Sequence, residues 1–290
     1  MKMKFNLFFR STFPPFLFLF LFLSLIITGQ TQKVKSADGV EIAYTVQGIG
    51  EPALVFIHGW SCDKSYWDEQ VKTFSPKYKV VAIDLAGHGQ SGLERKNYTL
   101  QAFGQDVAAV VSALGLDKVI LIGHSMGGPV VIEAANLLKN KVIGIIGADT
   151  FQNLGATFPE EQAIPFLKPF KENFVATTKE FVKRMFPKTA DSLLVKKVAD
   201  DMSSAPPAVA ISAMENMFKD NAVEALKELT TPIISINCDM YPIQLEENKK
   251  QVKSFEIKMM PGSGHFVMLD NPKLFDKLLL ESVVELDHPK

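Results

Sequence analysis

Residues 119–129 read Val119-Ile120-Leu121-Ile122-Gly123-His124-Ser125-Met126-Gly127-Gly128-Pro129. The first four form a short apolar run of the kind that makes a strand buried on both faces. A serine between glycines follows at once, and from Val130 to Leu138 apolar residues recur at intervals of three and four, as on one side of a helix. Strand, tight turn and helix in that order are the context G-x-S-x-G needs, because a sharp, strained bend lifts the serine hydroxyl above the sheet edge. Glycines on either side let the chain bend without Cβ collisions. Pro129 fits because the amides of a first helical turn have no partner inside the helix.

Similar signals extend in both directions. Val40, Ile42, Tyr44 and Val46 alternate after an Asp38-Gly39 turn, as a hairpin strand does. Apolar runs at Ala53–Ile57, Val80–Ile83, Val142–Ile146 and Ile233–Ile236 read as further buried strands, and Glu256–Met260 as another. A helical pattern over Leu100–Leu114 ends at Gly115, and a last helix begins near Pro272. Strands alternating with helices predict an α/β fold with a mostly parallel sheet and right-handed crossovers.

One interval is too long for a loop: about 85 residues separate Ile146 from Ile233. Helix-compatible stretches rich in Phe and Met, from Phe151 to Phe218, fill it between prolines 159, 165, 169, 187, 206 and 207. They predict a helical lid over one end of the sheet, with most of the aromatics packing downwards as ordinary core.

The N-terminus is of another kind. Of the 22 phenylalanines, eight fall between Phe5 and Phe22; Lys2, Lys4 and Arg10 precede an apolar run from Phe16 to Ile27 broken only by Ser24. That pattern predicts a signal peptide over residues 1–30, with an uncleaved N-terminal anchor as the alternative, because the run is shorter than the roughly 20 apolar residues a spanning helix needs. The protein is therefore expected to be secreted or periplasmic, or held at a membrane by that segment alone. Over the whole chain 31 basic residues face 32 acidic ones, with no long basic run, which gives no reason to expect a nucleic-acid partner or a preference for polyanions.

A serine hydroxyl becomes nucleophilic only when a base takes its proton. Among the five histidines, His265 is the best placed, in the loop Pro261-Gly262-Ser263-Gly264-His265-Phe266 between a strand and the last helix. An oxyanion needs two amide donors. The amide of Met126, next to Ser125, supplies one, and that of Trp60, in the His58-Gly59-Trp60 loop, the other. Asp84 and His88, in the glycine-rich turn from Asp84 to Ser91, are expected to hold loops beside the site. No cluster of His, Cys, Asp or Glu has metal-ligand spacing, and nothing resembles a phosphate cradle, so neither metal nor cofactor is expected.

Taken together, His58-Gly59-Trp60, Asp84 to Ser91, Gly123 to Gly128 and Gly262 to His265 resemble the α/β-hydrolase fold superfamily from about Val34 to Leu280. The resemblance implies an eight-stranded, mostly parallel sheet with an inserted helical lid: core in 31–150 and 221–290, lid in 151–220. It also implies Ser125 as nucleophile, His265 as base, and Trp60 and Met126 as the oxyanion hole. A serine at the bend argues against the dehalogenase and epoxide-hydrolase branches, which carry aspartate there. The triad acid departs from the family pattern, since Asn237-Cys238-Asp239-Met240-Tyr241-Pro242 lacks the glycine and is shortened. Asp239 is the expected acid, with Asp149 after the preceding strand as the alternative. Cys62 and Cys238 follow strands three apart in that fold, about 14 Å at ~4.8 Å per strand, too far for a disulfide, so both are expected as free thiols.

These readings converge on an exported serine hydrolase acting on small to medium apolar carboxylic esters. Two rivals remain open: a ligand-sensing protein built on the same residues, and a lyase or cofactor-free perhydrolase on the same fold.

Overall fold

The computed structural model describes residues 29–156, 158–219 and 222–288, the side chains of residues 222 and 223 excepted. Apart from Gly29 and Gln30, the segment read as a signal peptide lies outside the described residues. In chain order, β1 (Gln32–Lys35), β2 (Glu41–Gln47), β3 (Ala53–Ile57), α1 (Asp68–Phe74), β4 (Val80–Ile83), α2 (Leu100–Ala113), β5 (Val119–His124), α3 (Gly127–Leu138) and β6 (Val142–Ala148) make the first half. A helical insertion follows, comprising α4 (Glu160–Glu172), α5 (Phe174–Lys183), α6 (Ser192–Met202) and α7 (Pro207–Lys219). The chain then runs through α8 (Ala222–Lys227), β7 (Ile233–Cys238), α9 (Leu245–Gln251), β8 (Phe255–Met260), α10 (Val267–Asp270) and α11 (Pro272–Asp287).

The strands form one eight-stranded sheet in the order β1-β2-β4-β3-β5-β6-β7-β8. Only the pairings β1–β2 and β2–β4 are antiparallel; from β4 to β8 every pairing is parallel. As the alternating Val40–Val46 pattern predicts, the antiparallel part is the hairpin around Asp38-Gly39, where Gly39 adopts φ +88°. Every residue of β3, β4, β5 and β7 is buried, which requires cover on both faces. The pair α1 and α11 packs against one set of strands and the pair α2 and α3 against another.

Register aligns the strand ends. Ile57 pairs with Gly123, His124 with Ala148 and Cys238 with Met260. The loops after β3, β5, β6, β7 and β8 therefore open on one edge, where ligands of α/β sheets bind. Those five loops carry Trp60, Ser125, Asp149, Asp239 and His265.

The insertion follows its amphipathic pattern, except at two prolines. Pro165 and Pro169 lie inside α4 rather than between helices. Both are exposed and four residues apart on its outer side, so the backbone carbonyls they leave unpaired can be hydrated, which removes much of the usual cost of proline within a helix. The opposite side buries Ala163, Leu167 and Phe170.

A buried ion pair fastens the hairpin to the helices. Arg95 donates two bonds to Asp106 on α2, at 2.6 and 2.9 Å. Asp106 also accepts from Ser36 Oγ and from the Ala86 amide, and Arg95 Nε reaches Asp38 at 2.7 Å. Asp106 is fully buried, and burial pushes its carboxyl upward while Arg95 pulls it down. Removing the guanidinium strands that carboxylate. Arg95→Ala is expected to lower unfolding stability by about 3–5 kcal/mol, read as a lower urea midpoint; a midpoint equal to wild type would refute the linchpin role.

Candidate active site

Ser125 follows β5 directly with φ +52°, a left-handed conformation that costs a serine roughly 1–3 kcal/mol. Its neighbours show why they are glycine. A Cβ on Gly123 would sit 2.3 Å from the Gly127 carbonyl oxygen, and one on Gly127 would sit 2.7 and 2.8 Å from the carbonyl oxygens of Ile57 and His58. The bend is thus wedged against the end of β3. It is latched by the Ser125 amide donating to Ala148 O at 3.2 Å and the Gly128 amide donating to Ser125 O at 2.9 Å.

The loop after β3 presses on the same serine. A Cβ on Gly59 would lie 3.3 Å from Ser125 Cβ and 2.7 Å from His124 Nδ1, so only glycine lets the Trp60 backbone approach. Met126 caps α3 with helical dihedrals. Among the described residues, neither the Trp60 nor the Met126 amide donates to a protein acceptor. The Trp60 side chain points into the insertion: its Nε1 donates to Ala210 O at 2.7 Å, and its ring meets Phe170, Phe174 and Phe181 edge-on.

His265 is gripped through its backbone. Its amide donates to Met185 O in the insertion at 2.8 Å, and its carbonyl accepts from His124 Nε2 at 3.1 Å. Its Nδ1 contacts Asp149 Oδ2 at 2.6 Å, which leaves Nε2 as the free ring nitrogen. Here the expectation for the acid is corrected. Asp149, the alternative, is the carboxylate on His265, whereas Asp239 accepts the Gly262 amide at 2.9 Å and so caps the turn leading to the histidine.

Asp149 is itself held in a left-handed conformation, φ +44°. Its amide donates to Ile236 O at 2.8 Å, and its Oδ1 accepts the Cys238 amide at 3.0 Å. Phe151, two residues on, has φ +62°. A set of buried amides and hydroxyls pins this loop. Ser235 Oγ and Asn237 Nδ2 both donate to Thr150 O. Asn248 donates to Phe151 O at 2.7 Å and accepts from the Leu154 amide at 2.8 Å. Sequence reading missed Asn248, because Leu245–Gln251 reads as a charged surface helix and nothing in it marks one buried amide.

The other histidines are structural. His58 Nε2 accepts the Leu85 amide, so its proton sits on Nδ1 and is donated to Gly59 O; it braces the loop after β3. His88 donates from Nδ1 to Ala86 O and packs on His58. Asp84 accepts from the Lys64 amide and Nζ and from the Gln90 amide, the loop-holding role expected of it. Cys62 and Cys238 are free, buried thiols, Cys238 pushed up to about 12 by burial.

Two cavities meet at the Ser125–His265 pair. One, about 120 Å³, is walled by Trp60, Cys62 and insertion residues including Phe166, Phe181, Met202 and Phe218. The other, about 280 Å³ and more open, runs past Met126, Pro129, Thr150, Gln152 and Asn153. Among the described residues no group of three or more metal-ligating side chains occurs, and no helix is long and apolar enough to cross a membrane.

Comparison with known proteins decides the family. A family model described as "Alpha/beta hydrolase family" matches residues 54–278. The chain belongs to the alpha/beta hydrolase family. Its relatives include a non-heme haloperoxidase of Rhodococcus erythropolis, 32% identical over 51% of this chain and 56% of that protein. A putative esterase/lipase of Haemophilus influenzae is 40% identical over 40% of each chain. The hydrolase thus spans about half the length of these curated relatives. A thermophilic esterase from Thermogutta terrifontis shares the fold at TM-score 0.77 and 22% identity, covering 89% of this chain and 99% of its own.

Burial holds His88 at about 3 and keeps His58 and His124 below their ordinary range. Below pH 6.5 the unfolded chain therefore binds protons that the fold refuses, so stability falls as pH drops through that window, by up to about 1.4 kcal/mol per pH unit for each group. Urea midpoints at pH 7, 6 and 5 should decline in that order; a rise towards pH 5 would contradict neutral buried imidazoles.

Proposed function

We propose that this alpha/beta hydrolase is a serine esterase acting on small to medium apolar carboxylic esters. The observation that carries the reading is the 2.6 Å contact of Asp149 with His265 Nδ1, which leaves the opposite ring nitrogen free in a cavity wall shared with Ser125. Asp149 holds the imidazole in the tautomer that accepts a proton at Nε2. Ser125 Oγ attacks the ester carbonyl carbon as its proton passes to His265, and the carbonyl oxygen, now an anion, is bound by the Trp60 and Met126 amides. The tetrahedral intermediate collapses, breaking the ester C–O bond, and the His265 proton goes to the departing alkoxide. Water then repeats the sequence on the acyl-serine: its proton goes to His265 and on to Ser125, and the acid is released.

Several features support an apolar substrate: the Phe and Met walls of the narrower cavity, the near-neutral charge of the chain, and the likeness to the Haemophilus esterase/lipase. Export rests on the basic, then apolar, N-terminal sequence. Likeness to the Rhodococcus haloperoxidase favours one second reading, a perhydrolase in which hydrogen peroxide replaces water in the second half-reaction. Peracid formation from ester and peroxide, outpacing hydrolysis, would establish it.

With p-nitrophenyl butyrate, Ser125→Ala is expected to lower kcat by on the order of 10⁶ and Asp149→Asn by about 10⁴. Asp239→Asn keeps an acceptor for the Gly262 amide and should stay within about threefold. Unchanged turnover in Ser125→Ala would end the serine mechanism, and equal losses in the two aspartate variants would end the assignment of the acid.

A further inference from the structure

Among the described residues, three border both cavities: Ser125, His265 and Met217. The first two are the reacting pair of the proposed mechanism. The third is a partly buried side chain on α7, the insertion helix whose Ala210 carbonyl is bonded to the Trp60 indole. Met217 therefore stands where the narrow apolar cavity and the open cleft would otherwise merge.

Chemistry distinguishes the two spaces. After acyl transfer the alcohol leaves, and the attacking water must take its place beside His265 while the acyl group stays on Ser125. The leaving-group side has to admit bulk water, and the cleft past Thr150, Gln152 and Asn153 is the more open and more polar of the two. That leaves the Phe- and Met-walled cavity for the acyl chain. At about 120 Å³ it is well below the roughly 300–1,000 Å³ of pockets that take drug-sized ligands, so it fits only a short chain.

We propose that Met217 is the partition between an acyl pocket and a leaving-group cleft, and that it restricts this enzyme to esters of short-chain acids. The proposal rests on the esterase reading above. An unbranched thioether suits the position, since it fills irregular space at the junction and its truncation removes the wall without inserting a polar group.

The test compares two truncations along two substrate series: p-nitrophenyl esters from acetate to decanoate, which vary the acid, and acetates of alcohols of increasing size, which vary the leaving group. Ratios of kcat/KM within a series are independent of the fraction of enzyme that is folded. Wild type is expected to lose at least tenfold between butyrate and octanoate. Met217→Ala should raise the octanoate-to-acetate ratio about tenfold and also shift the alcohol series. Met202→Ala, which borders only the narrow cavity, should shift the acid series alone. A Met202→Ala variant that shifted the alcohol series instead would reverse the assignment of the cavities. A Met217→Ala variant with both series unmoved would remove the partition.

Alkylboronic acids of two to eight carbons, measured by calorimetry, report the same pocket without turnover. If they bind wild type with a short-chain preference that Met217→Ala leaves intact, the partition fails while the serine reading stands. If wild type neither cleaves esters nor binds any boronic acid, the esterase reading falls, and the partition with it.

Discussion

The left-handed bend at Ser125 is the constraint to which the rest of the site is subordinate. A serine at φ +52° stays there only if its surroundings leave no alternative, and here they are backbone rather than flexible side chains. The Ile57 and His58 carbonyls on one side and the Gly127–Gly128 peptide on the other occupy the space that any side chain on the flanking glycines would need. Strain is thus stored at the junction of β3, β5 and α3, the most buried part of the sheet, where it cannot relax locally. A hydroxyl perched on so stiff a support keeps its position.

The same arrangement recurs at Asp149. Asp149 and Phe151 both adopt left-handed dihedrals without the help of glycine, and the loop they shape is tied at Thr150, Phe151 and Leu154 by Ser235, Asn237 and Asn248. Those bonds satisfy backbone groups that would otherwise be buried unpaired at a cost of about 1–3 kcal/mol each. His265 is fixed differently, through backbone bonds at both its amide and its carbonyl. One of them goes to Met185 in the insertion, so the insertion is fastened to His265 itself. Phe186 stacking on Phe266 and Tyr66 donating to Asp201 strengthen that seam. Packing of the insertion and placement of His265 are therefore coupled.

Strands, helices and the serine bend were legible because local patterns encode them: continuous apolar runs for strands covered on both faces, periods of three and four for helices, glycines where a Cβ has no room. Pro165 and Pro169 were read as breaks because sequence does not say which side of a helix faces water. Asp239 was expected on His265 because it follows β7, where the family usually keeps its acid. Its carboxylate instead reaches the Gly262 amide, while Asp149, one strand nearer to Ser125, takes the imidazole.

What the sequence determined by itself was the order of elements and the two loops that present Ser125 and His265, since each is written in contiguous residues whose local geometry depends on near neighbours. Tertiary structure alone put Asp149 rather than Asp239 on His265, buried Asn248 on a helix that reads as surface, and set Met217 between two cavities. The first two outcomes depend on how segments about 90 to 120 residues apart meet in space, and no local periodicity carries that distance.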